Sequence, residues 1–227
     1  KPYTVDRVHP RQSYGRPGWM RCRDTCEGMV TNWGAHVIDV AQQAHDSERT
    51  GPVSVEGKGE YPAPGSGLWN VLLNFQIQYR YADGVVLDYH TAEGALLRIE
   101  GEEGWVEASF DFLKAEPASL LEWKVPGGGW TVERKSDKQD FIDSVRSRKP
   151  TLEPAEVGHR VTSLCHLGHI AIQVGEKLRW DPGRETFPHS HLSLGYQILP
   201  GPGPDWPQLA EDLDVPQTGT QMRLLIA

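Results

Sequence analysis

The chain has 227 residues, 38% of them hydrophobic and 24% charged, and a formal net charge of −8 at pH 7. It is long enough to bury a full core, and one domain followed by a tail is the natural count. The acidic balance and the absence of a Lys/Arg cluster argue against a nucleic-acid backbone as partner, and no apolar run approaches the ~20 residues of a helical membrane span. The chain opens at Lys1 and reads as a piece of a longer protein, so its compartment stays unassigned, with the cytoplasm favoured.

Residues 1–27 are rich in Arg, Pro, Gly and aromatics, including Trp19, Arg21, Arg23 and Asp24, which is loop chemistry. Residues 28–44 then predict a helix. At about 100° per residue, Asn32, His36, Asp39 and Gln43 fall on one narrow stripe, while Val37, Ile38, Val40, Ala41 and Ala44 cover much of the rest. A buried helix is expected, its polar stripe satisfied internally or aimed into a cavity. Helix geometry alone leaves two readings open: a core histidine held by Asn32 and Asp39, or a functional site.

Val53 to Tyr61 alternates as a half-buried strand does. Trp69 to Tyr81 is the longest strand expected, with Phe75, Ile77, Tyr79 and Tyr81 on one face and Asn74, Gln76, Gln78 and Arg80 on the other. Asp83-Gly84 signals a hairpin turn into Val85–Thr91, and Gly101–Gly104 joins a second hairpin of Leu96–Glu100 and Trp105–Phe110. Ser136 and Gln139 form a capping box that opens a helix to about Arg148, with Phe141, Ile142 and Val145 inward. Pro154 sits at the first turn of a second helix running to Gly175. Leu178–Trp180 is a short strand. These elements predict an α+β domain with a mainly antiparallel open-faced sheet, helices on one face, and the polar face of the long strand open. After residue 187 the composition turns to Pro and Gly, and residues 188–227 are expected to form a loose tail.

Cys22, Cys26 and Cys165 lack disulfide-framework spacing and read as free thiols. No second thiol pair or His-x-x-x-His completes a zinc set, so no metal is expected. His166 and His169, three apart on the last helix, could face one ligand together or pack at a helix–sheet boundary.

The words Asn32-Trp-Gly-Ala-His-Val-Ile-Asp39 closely resemble the Asp-x-Gly-x-His-x-x-Asp signature of the Gfo/Idh/MocA oxidoreductases. The likeness continues through Arg16–Arg21, Glu48–Pro52, Ser163–His169 and Leu178–Pro182, and spans about residues 3 to 188. It is greatest to the bacterial-type C-terminal domain of that family, with its dihydrodipicolinate reductase-like fold. The resemblance implies a substrate-binding and oligomerisation domain of an NAD- or NADP-dependent sugar or polyol oxidoreductase, self-associating through the open sheet face. The histidine at the position of His36 acts in that family on the substrate hydroxyl. Alcohol oxidation removes a hydride and a proton, and imidazole, which titrates near neutral pH, suits the second task. Asn32 stands where many relatives carry aspartate. An amide can bind a hydroxyl but cannot take its proton. Arg21, Arg23 and Asp24, with Trp19 or Trp33 as an aromatic platform, could read a sugar. Asp39 could orient His36 or anchor the helix, and His166 could line the pocket.

The sequence lacks a Gly-x-Gly-x-x-Gly turn and βαβ alternation, so this chain alone is expected to bind no dinucleotide. Lys1 is not taken as the family's catalytic lysine, because Tyr3–Pro10 already reads as the start of the substrate domain. Two rival readings remain: a non-catalytic carbohydrate-binding or assembly domain, and part of an NAD-dependent glycosidase.

Overall fold

The computed structural model describes residues 18–65, 69–92, 96–109, 111–122, 136–188 and 221–226. Eight strands form one sheet: β1 (Ser54–Glu60), β2 (Asn74–Arg80), β3 (Val86–Thr91), β4 (Leu96–Gly101), β5 (Gly104–Ala108), β6 (Leu113–Glu116), β7 (Leu178–Arg179) and β8 (Gln221–Ile226). Their spatial order is β6-β5-β4-β8-β3-β2-β1-β7. All pairs are antiparallel except β3 with β8. The helices are α1 (Met29–Asn32), α2 (Gly34–Ala44), α3 (Asp137–Ser147) and α4 (Ala155–Val174).

Alternation along β2 decides which side of the sheet is covered. Phe75, Ile77 and Tyr79 are buried, and they share a core with Val37, Ile38 and Ala41 of α2 and Val157, Val161, Leu164 and Ala171 of α4. The other face carries polar side chains. Gln78 Nε2 donates to Asp88 Oδ1 across the β2–β3 pair at 2.9 Å, and Arg98 bridges Glu100 and Glu107 at 2.7 Å each while lying 4.3 Å from the Trp105 ring centroid. The expected α+β class, open face and hairpins hold. The turn at Asp83 is reinforced from within, since Asp83 Oδ1 accepts from Val85 N and Oδ2 lies 2.8 Å from His45 Nε2.

Three expectations change. Phe141, Ile142 and Val145 do not point inward: they are 64%, 43% and 48% exposed. A hydrophobic pattern fixes where side chains lie around a helix axis, but not whether another element covers them. Among the described residues α3 is tied down by local polar contacts, with Leu152 N donating to Asp140 Oδ2 at 2.9 Å. The capping box is half formed: Gln139 N donates to Ser136 Oγ, while the Gln139 side chain turns to Asp143. Finally, Gln221–Ile226, part of the tail expected to lie loose, forms β8 between β4 and β3. Proline and glycine counts over a long window hide a short strand at its end. Residues 189–220 lie outside the described residues.

Helix α4 approaches the sheet at Gly168, where an added Cβ would sit 2.6 Å from both Ile77 Cδ1 and Tyr79 Oη. At Gly158 on the same helix, nothing lies within 4 Å. We expect Gly168→Ala to cost about 1–3 kcal/mol through overpacking, and Gly158→Ala to be neutral or to gain up to about 1 kcal/mol from helix propensity. Urea midpoints of the two variants check this, and equal midpoints would contradict the packing described.

Candidate functional site

The site grows from the corner at Gly28. Its φ of +79° suits glycine alone, and a Cβ there would lie 2.8 Å from Val71 Cβ. From this corner α1 and α2 run nearly as one helix, turning at Trp33. Tyr89 Oη donates to the carbonyls of Met29 and Val30 at 3.2 and 3.0 Å, fixing the start. Gln42 fixes the end: it is fully buried, and its Oε1 accepts from Tyr81 Oη at 2.8 Å and Ser47 Oγ at 3.1 Å.

With the inner side held so, the stripe of Asn32, His36, Asp39 and Gln43 lies on the outer side. His36 is exposed and the other three are half-buried. The expectation of a buried helix is therefore corrected. The four residues do share one side, but Tyr81 and Ser47 both donate to Gln42 Oε1 and draw that amide to the inner side, where its Nε2 is buried without a partner, and Val40 is 47% exposed. Nor is His36 a core histidine. Its ring meets Trp33 edge-on, with centroids 5.7 Å apart.

Asp39 belongs to an acidic knot. Its Oδ2 accepts from Gln43 Nε2 at 3.4 Å, and the same Nε2 lies 3.1 Å from Glu153 Oε1. Asp39 Oδ1 is buried and has no hydrogen-bond partner. Burial and the charge of Glu48 raise the Asp39 carboxyl above its usual range. Glu153 is raised too, by burial and then by Asp39 and Glu48. Of the two roles considered for Asp39, anchoring fits its bonds better than orienting His36.

Before the corner, the turn Gly18–Arg21 and the residues after it pack on the loop between β1 and β2. The Arg21 guanidinium lies 5.4 Å from the Trp69 ring centroid, and that of Arg23 lies 5.6 Å from Tyr61. Asn70 clamps the backbone, accepting from Arg23 N at 2.8 Å and donating its own N–H to the Arg21 carbonyl at 2.9 Å. Trp19 is 40% exposed, and Arg23 and Asp24 are exposed. His166 and His169 do not face one ligand side by side. His166 is exposed, whereas His169 is 3% exposed with Nε2 3.0 Å from the Glu27 carbonyl. Sequence reading missed Gln42, Tyr81 and Tyr89 as supports of the helix. The available signal was a row of tyrosines on the covered face of a sheet, whose hydroxyls need buried partners.

The arrangement offers solvent-facing cations, an imidazole and indole surfaces on either side of one rigid corner. Such a set can bind and orient a polyhydroxylated molecule. Among the described residues, no group of three His, Cys, Asp or Glu side chains could hold a metal ion. Among the described residues Cys22, Cys26 and Cys165 form no disulfide, and burial pushes the Cys165 thiol up to about 12. Gly57 and Gly59 lie within β1, where the space a Cβ would take is already met by Ile172 and Leu72, rather than at a strand-to-helix turn.

The model of an oxidoreductase family's C-terminal alpha/beta domain, that of Gfo/Idh/MocA, matches residues 1–193. The chain belongs to the Gfo/Idh/MocA oxidoreductase family. No curated protein matches it. Solved structures give the same fold. Aldose-aldose oxidoreductase from Caulobacter crescentus, complexed with glycerol, is 14% identical with a TM-score of 0.55, over 71% of this chain and 50% of that one. A levoglucosan dehydrogenase in complex with NADH and levoglucosan is 14% identical with a TM-score of 0.53, over 78% and 56%. An oxidoreductase domain protein from Kribbella flavida is 17% identical with a TM-score of 0.51, over 77% and 54%. The chain thus spans about half the length of the solved Gfo/Idh/MocA chains it matches.

The acidic knot has a pH consequence. With its folded-state pKa raised above the ordinary 3.8, Asp39 binds more protons folded than unfolded across the interval between the two values. Stability therefore falls as pH rises through that interval, and the loss is complete above the native pKa. Asp39→Asn should stabilise the chain at pH 7 by up to about 1 kcal/mol, with the gain vanishing at pH values below the ordinary carboxylate range. Urea unfolding at several pH values measures this, and a pH-independent difference would refute it.

Proposed function

We propose that this chain is the substrate-facing and assembly domain of an NAD(P)-dependent sugar or polyol oxidoreductase, and that His36 takes the proton of the reacting hydroxyl. One observation carries the reading: in a family of oxidoreductases, the His36 imidazole stands in solvent on a helix whose opposite side is locked to the sheet. A rigid mount with a wet functional edge is what positioning a reacting group requires. Asn32, one turn earlier, is suited to bind a neighbouring hydroxyl. Trp19 and Trp33 give ring-sized apolar surfaces, while Arg21, Arg23, Asp24 and His166 supply donors and acceptors for the remaining hydroxyls. Hydride removal belongs to a nicotinamide bound by another part of the parent protein. This chain's part is to bind the alcohol, orient it and hold its proton at the imidazole. The solved relative bound to NADH and levoglucosan supports a sugar-like substrate.

In the parent protein, His36→Ala should lower kcat for alcohol oxidation by roughly 10²–10⁴-fold and remove the acidic limb of the pH profile. NAD affinity should barely change. Turnover per folded molecule is the measurement. A rate within a few-fold of wild type would end the case for His36 and leave a binding or assembly domain.

We also propose that the open sheet face joins two copies. Gln76 is exposed there; beside it Arg80 donates to Gln78 and Gln78 to Asp88, and two strands beyond β3 Arg98 bridges Glu100 and Glu107. Polar faces of this kind pair through hydrogen bonds and water. Light scattering should show an oligomer for wild type and a shift toward monomer for Gln76→Glu. A monomeric wild type at high concentration would overturn the proposal.

A further inference from the structure

His169 is a buried group that the reading above does not use. It follows Gly168, where α4 presses hardest on Ile77 and Tyr79, so its backbone has little room to move. Its side chain is 3% exposed and reaches away from the sheet, toward the corner before α1. Nε2 lies 3.0 Å from the Glu27 carbonyl and 3.5 Å from Glu27 Oε2. As the carbonyl only accepts, Nε2 carries the hydrogen, and Nδ1, buried without a partner, is the bare nitrogen. Burial lowers the imidazole's proton affinity, which keeps this neutral donor form. Glu27 opposes that shift, and the nearby positive charges of His166 and Arg23 favour it.

The bond joins residues far apart in sequence and lands on a decisive place. Glu27 directly precedes Gly28, whose carbonyl accepts from Asn32 N at 3.0 Å and from Thr31 Oγ1 at 3.2 Å. Arg23 and Asp24 lie on one side of the corner, and Asn32 and Trp33 on the other. The far end of α2 has separate anchors in Gln42, Tyr81 and Ser47.

We propose that His169 is a positioning residue for substrate binding: by holding the Glu27–Gly28 corner against α4, it sets the Arg23 turn relative to Asn32. The inference rests on the proposed sugar-binding role of those side chains, but the clamp itself can be tested without any substrate. His169→Leu keeps the bulk and removes the donor. His169→Gln returns an amide N–H at about the reach of Nε2.

Hydrogen exchange on the chain as it stands is the first measurement. His169→Leu should speed exchange at residues 22–32 by roughly tenfold or more, while β2 keeps its protection and His169→Gln restores the slow rates. Uniformly faster exchange with a lowered urea midpoint in both variants would make His169 a packing residue and overturn the clamp. Unchanged exchange would overturn it as well.

The second measurement uses the parent enzyme with a sugar or polyol substrate it turns over. His169→Leu should raise KM by roughly tenfold and change kcat far less, with Gln rescuing KM. An equal fall in kcat at constant KM would refute a binding role. Should His36→Ala leave turnover intact, the proposed function fails. The exchange result would still decide the clamp independently.

Discussion

Three tyrosine hydroxyls rising from the covered face of the sheet govern where the helices can sit. Tyr79 donates to the Leu164 carbonyl of α4 at 2.9 Å, Tyr81 to Gln42 of α2, and Tyr89 to the Met29 and Val30 carbonyls of α1. Each hydroxyl is enclosed, so an unmet hydrogen bond would carry the full cost of desolvation. Burial also raises the pKa of all three, which keeps them protonated as donors. Apolar contacts alone would let a helix slide by part of a turn. A fixed donor on a strand and a fixed carbonyl on a helix do not allow that.

The division of the α1–α2 unit follows from this constraint. Its inner side is dry and bonded to tyrosines, and its outer side faces water with His36 and the acidic knot of Asp39, Glu48 and Glu153. Each side also holds one buried atom without a hydrogen-bond partner, Asp39 Oδ1 on the outer side and Gln42 Nε2 on the inner.

Much of the fold was readable because period-two alternation is a property of the chain itself. Phe75, Ile77 and Tyr79 point inward whatever lies above them, and Asp83-Gly84 and Gly101–Gly104 turn the strands where expected. What could not be read depends on partners. Gln42 looks like a surface residue until Tyr81 and Ser47 meet it. Phe141, Ile142 and Val145 form a sound apolar stripe that nothing among the described residues covers. His166 and His169 are near neighbours on one helix, yet only His169 has a carbonyl within reach. Asn32, His36, Asp39 and Gln43 group by their shared helix, and Arg21, Arg23 and Asp24 by their loop. The Glu27–Gly28 corner between the two groups showed itself only through a glycine's positive φ and a long-range bond.

The seat of β8 affects how the chain is built as well as what it becomes. β3 and β4 are close in sequence, yet they never pair with each other: the strand between them comes from far downstream, parallel to one and antiparallel to the other. During synthesis the β1–β2–β3 unit and the β4–β5–β6 unit emerge first, each with an open edge. Pairings this remote in sequence are slow to form, and bare edges invite other chains. Until residues 221–226 take their place, the edges of β3 and β4 that β8 covers stay bare and open to pairing with another chain.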